Sequence, residues 1–165
     1  MARNLFLVLL LCFGLAACGY GFASRGPVNK AVAEQAHNLY MDEVVNPTLE
    51  AWLGPRLRSV LRDELHRRGW TNWTERNEAD ALVKVVVEHY SRSTKVSDEK
   101  EETLRSQASI KLYMTLVSRT TGQIIWHSGM ISVGESYFGS SPVEADKAVT
   151  ELAVRRLVDR LSQGY

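Results

Sequence analysis

Four histidines, two cysteines and a few adjacent carboxylates are the side chains of this sequence that could carry catalysis or hold a metal, and their spacing decides the matter. His37, His66, His89 and His127 are scattered, with no HExxH pair and no cysteine partners at zinc spacing. No GxSxG elbow, phosphate-binding loop or GxGxxG fingerprint occurs. Asp63-Glu64 and Asp98-Glu99 read as solvated pairs. The residues therefore predict no enzyme, no metal site and no cofactor. Cys18 is the one side chain with a chemical setting of its own, a thiol preceded by small residues at the end of an apolar run.

That run starts after Arg3, passes through Leu5-Phe6-Leu7-Val8-Leu9-Leu10-Leu11 and ends at Leu15-Ala16-Ala17-Cys18. It is too short for a spanning helix, which needs roughly 20 apolar residues, and has the charge and length of a signal peptide. Leu15-Ala16-Ala17-Cys18 resembles a bacterial lipobox, in which small residues admit the peptidase and the cysteine takes a lipid. The resemblance implies cleavage before Cys18 and acylation of its sulfur and new amino group. Two lipid chains already suffice for stable anchoring, each buried methylene adding ~0.8 kcal/mol. Gly19 follows Cys18 where an inner-membrane lipoprotein tends to carry Asp. The expected location is the periplasmic face of the outer membrane. Residues 1–17 then form the signal, 18–36 the lipidated N-terminus and tether, and 37–165 one domain.

Charge narrows the partners. The chain has 20 Lys and Arg against 19 Asp and Glu, a balance that argues against nucleic acid, whose binders carry a basic excess. Any anionic partner must be met by a local patch. Two patches qualify. Arg92, Lys95, Lys100 and Arg105 cluster around the polar stretch from Ser91 to Glu102. Arg56, Arg58, Arg62, Arg67 and Arg68 stud one helix, where they could meet phosphates or acidic loops.

The elements that position these patches follow from periodicity. Asn38 to Val45 reads as a first strand. Leu49, Leu53, Leu57, Val60, Leu61 and Leu65 recur at helical spacing, starting near Pro55 with one turn before it and stopping at Gly69. Ala81, Val83, Val85 and Val87 make the apolar face of a second strand, with Leu82, Lys84, Val86, Glu88 and Tyr90 opposite. Ser91 to Glu102 is expected as a long hairpin tip. The return strand places Ala108, Ile110, Leu112, Met114 and Leu116 inward. Thr120-Thr121-Gly122 turns it into a further strand over 124–133, with 134–140 as loop. Ser141, Pro142 and Glu144 open a last helix whose buried stripe is Ala145, Val149, Leu152, Ala153, Leu157 and Leu161. The order β-α-β-β-β-α predicts an α+β two-layer sandwich, a mixed or antiparallel sheet of about four strands covered by two helices.

Several of these stretches together resemble one family. Cys18-Gly19-Tyr20-Gly21-Phe22, Leu61-Arg62-Asp63-Glu64-Leu65-His66-Arg67-Arg68-Gly69, Glu78-Ala79-Asp80-Ala81 and Arg119-Thr120-Thr121-Gly122-Gln123-Ile124-Ile125-Trp126 are similar to the lipopolysaccharide-assembly lipoproteins, the LptE family. The resemblance implies a β-α-β-β-β-α domain seated as a plug in a large outer-membrane barrel, LptD. It also implies a role in delivering lipopolysaccharide to the outer leaflet and contact with lipopolysaccharide through basic residues. Arg92, Lys95 and Lys100 match that role by type and place. The first strand is more acidic than the family pattern, which has an Ile/Val-rich strand there. A lipoprotein that activates a peptidoglycan synthase, or one of curli-type secretion, would share the strand-helix-strand-strand order and the Thr-Gly-x-x-x-Trp hairpin.

Overall fold

A run of apolar residues at every second position gives a strand one apolar face, and the chain builds its core on two such runs, one Val-rich and one Leu- and Met-rich. The computed structural model describes residues 30–97, 103–138 and 142–163. Cys18 and Lys100 lie outside the described residues, as do Ser141 and the hairpin tip at 98–102. Strand β1 is Asn38–Val45, and helix α1, Lys30–Gln35, precedes it. Helix α2 is Leu53–Arg68, followed by the two-residue strand β2, Asn72–Trp73. The long strands β3, Ala81–Ser97, and β4, Thr103–Ser118, come next. Strands β5, Ile124–His127, and β6, Ile131–Phe138, lead to helix α3, Pro142–Gln163.

The sheet runs β2-β1-β3-β4-β5, with β6 also paired to β4. β1 is parallel to β2 and β3, and the other pairings are antiparallel. α2 packs over β1, α3 over β4 and β6, and the two helices pack on each other. Between helices and sheet lies one core, in which Val83, Val87, Ile110, Leu112, Leu57, Leu65 and Leu157 are all buried. The class is the expected α+β sandwich, with six strands among the described residues where about four were expected. Gly69 caps α2 at φ 62° and Gly122 turns β4 into β5 at φ 70°, left-handed positions that glycine enters without a Cβ clash.

The differences from expectation have local causes. Val87 pairs with Leu112 and His89 with Lys111, so Glu88 is an extra residue. This bulge shifts the alternation by one and carries Tyr90 from the outer face to the core side. Ser91 to Ser97, expected in the hairpin tip, are strand paired to Thr103–Ser109, because ladder bonds join backbone groups and accept polar side chains. The stretch 124–133 is two strands, not one. At the break the Ser128 hydroxyl takes a ladder place, accepting from the Met114 N–H at 2.9 Å. Gly134 to Phe138, expected as loop, completes β6 against β4. Val32 of α1 and Ala36 just after it are buried in the core, within the stretch 18–36 read as tether. Leu49 precedes α2 and is fully exposed, not part of its buried stripe.

Candidate functional site

Tyr90 and Arg92 are two residues apart on β3, so both side chains leave the strand on the same face. On that side lies the first part of α3, which presents Asp146 beside the core residues Ala145 and Val149. The Tyr90 hydroxyl donates to Asp146 Oδ1, and Arg92 Nη1 donates to Asp146 Oδ2 at 2.8 Å. Arg92 Nη2 also lies 3.9 Å from Glu50 Oε1. Glu50 in turn accepts from Trp52 Nε1 at 2.6 Å, and the Trp52 ring meets Tyr90 edge-on at 5.6 Å. Arg56 Nε donates to Thr150 Oγ1 at 3.0 Å, and its Nη2 pairs with Glu151 at 3.1 Å. The result is a polar network tying the hairpin base to the loop before α2 and to α3. Burial, and then the Asp146 carboxylate, push the Tyr90 hydroxyl far above the ordinary tyrosine range, so it acts as a donor.

Arg92 is therefore ion-paired inside the molecule, with about a third of its side chain exposed. Lys95 stands further along β3, opposite Arg105 in the β3–β4 register. Leu49 and Val143 are exposed beside this network, one residue before Glu50 and three before Asp146. The network was missed in the sequence reading. Its signal is an Asp and a Thr, at 146 and 150, flanking an otherwise apolar helical stripe.

The arginines of α2 divide. Arg67 and Arg68 both bind Glu64, and Arg68 Nη2 also meets Asp159 at 2.6 Å. The Arg68 guanidinium lies 5.1 Å from the centre of the Trp70 ring. Arg58 Nη1 donates to the Met41 carbonyl at 2.9 Å, and Arg62 lies over the Trp73 ring at 5.5 Å.

The sheet face away from the helices carries a half-buried row of Tyr40, Leu82, Val86, Tyr113, Val117 and Ile125. The register sets Tyr40 beside Leu82, Leu82 beside Val117, and Val86 beside Tyr113. Lys84 and Glu43 pair on it at 2.6 Å, and Glu43 raises the Lys84 pKa through that hydrogen bond and its charge. Among the described residues no helix is long and apolar enough to cross a membrane. Nor does any group of His, Cys, Asp or Glu there gather at metal-binding distance.

The family model for lipopolysaccharide assembly, LptE, matches residues 36–164. No curated protein matches the sequence. Among solved structures, the PelC dodecamer of Paraburkholderia phytofirmans is 13% identical, covering 78% of this chain and 90% of its own, with a TM-score of 0.57. Lipoprotein GNA1162 of Neisseria meningitidis is 13% identical, covering 77% of this chain and 99% of its own, with a TM-score of 0.50. At such identity these likenesses describe the fold alone.

Proposed function

The chain belongs to the LptE lipopolysaccharide-assembly family, and from that premise we propose that it works as a non-catalytic outer-membrane lipoprotein with an LptD-type barrel. The observation that carries this reading is the family match, which spans the sheet and its two large helices. In this role the domain is the barrel's plug and assembly partner while lipopolysaccharide passes to the outer leaflet. Acylated Cys18 anchors it at the periplasmic face. The half-buried outer face of the sheet suits a second protein wall, since its apolar row lies between charged and polar neighbours. By residue type and place in the sequence we assign Lys95 and Lys100 to the lipopolysaccharide phosphates, with Arg92 contributing only through the part of its side chain that its pair with Asp146 leaves exposed.

The test is affinity purification of the tagged chain from detergent-solubilised outer membranes, followed by mass spectrometry. A stoichiometric barrel of LptD type is the expected result. Co-elution of a peptidoglycan synthase with no barrel would overturn the reading. Cys18→Ala is expected to abolish palmitate labelling, and a variant that still labels would remove the lipid anchor from it.

A further inference from the structure

α2 presents Arg58, Arg62 and His66 at successive turns, along the side of the helix that faces β2. Together with Ser59, Asn72 and Trp73 they line an open groove of about 700 Å³. Arg62, His66, Ser59 and Asn72 are exposed, while Arg58 and Trp73 are half-buried. Trp73 is fixed in place, because its indole N–H donates to the Arg62 carbonyl at 3.3 Å.

Three features mark the groove as a site for anionic oxygens. First, neither Arg58 nor Arg62 pairs with a carboxylate among the described residues, whereas Arg56, Arg67 and Arg68 on the same helix all do. Second, their internal contacts leave donors free. Stacking on Trp73 engages the face of the Arg62 guanidinium, and the Met41 carbonyl takes one N–H of Arg58. The in-plane N–H groups that recognise a carboxylate bidentately remain open. Third, Asp63 is the one carboxylate lining the groove, against two guanidinia.

Spacing then selects the shape of the ligand. Residues one helical turn apart, as Arg58 and Arg62 are, rise about 6 Å along the axis. In an extended chain, side chains on one face recur every ~6.6 Å. The two repeats coincide, so carboxylates at alternate positions of an extended peptide meet successive turns of α2. We infer that the α2–β2 groove binds an extended acidic segment of a partner protein, with carboxylates at alternate positions on Arg58 and Arg62 and the next alternate position beside His66. This surface is separate from the hairpin and from the outer face of the sheet, and the inference needs neither the barrel nor lipopolysaccharide.

The test uses the full chain in detergent micelles and fluorescein-labelled short peptides, read by anisotropy. One peptide carries Glu at every second position, a second the same residues with the Glu contiguous, and a third Gln in place of Glu. The alternating peptide is expected to bind tightest, the Gln peptide not at all, and binding to weaken as salt rises. Arg62→Gln is expected to weaken the alternating peptide about tenfold. Ser59→Glu, which leaves both arginines in place and adds a charge to an exposed position, gives an independent loss if the first variant folds poorly. Equal binding of the alternating and Gln peptides would overturn the inference, as would unchanged affinity in Ser59→Glu. Arginine-dependent binding of phosphatidylglycerol vesicles without binding of the peptides would also overturn it, assigning the groove to a lipid surface.

Discussion

Two sets of arginines on one small domain behave in opposite ways. Arg92 ties β3 to the largely buried Asp146 of α3, while on α2 Arg67 and Arg68 both pair with the largely buried Glu64 of their own helix and Arg68 also ties it to Asp159 of α3. Arg58 and Arg62 sit on the same helix as the second pair, yet they touch only a carbonyl and an aromatic face. The lesson is that a basic stretch in a sequence is two kinds of thing at once. Where an acceptor is buried beside it, the guanidinium completes a desolvated pair whose rupture leaves an uncompensated polar group. Where none is, the charge remains available to a ligand at little consequence for stability.

The sharpest way to break that contrast is Asp146→Ala. It strands the Tyr90 hydroxyl and the Arg92 guanidinium together, and should lower stability in urea denaturation by about 2–3 kcal/mol, Arg92 being partly solvated. An effect near zero would make this network ornamental and erase the distinction. Glu64→Gln follows at about 1–2 kcal/mol, since Glu64 is mostly buried and answers two arginines.

Tyr90→Phe should remove about 1 kcal/mol at neutral pH by deleting one hydrogen bond. The sign of its pH dependence follows from the raised pKa. The folded state holds the phenolic proton more tightly than the unfolded chain, whose tyrosine ionises near pH 10. The stabilisation is therefore fully present below about pH 10 and is lost as pH rises beyond it. The gap between wild type and Tyr90→Phe should narrow in denaturation curves taken above that pH; a constant gap would remove Tyr90 from the network. Smallest of all, Arg62→Gln should move the melting transition by no more than about 0.5 kcal/mol. A larger loss would mean that its stacking on Trp73 is structural, placing it with Arg92.

Much of this molecule could be read from local pattern. The inward faces of β3 and β4, the stripe from Leu53 to Leu65, the cap at Gly69 and the turn at Gly122 all obey periods or backbone preferences contained within a few residues. That is why element types, the sandwich class and the presence of two arginine-bearing regions were legible. The partners of those arginines were not. Tyr90 reaches the core only because a single extra residue, Glu88, shifts the alternation, and a bulge is decided by pairing with β4. Arg92 finds Asp146 across 54 positions of chain, and Arg68 finds Asp159 across 91. Sequence by itself determined where helices and strands form, because those rules act between neighbours. Tertiary structure alone decided which charges are neutralised and which stay open, because a carboxylate far along the chain counts only once folding has brought it within hydrogen-bond reach.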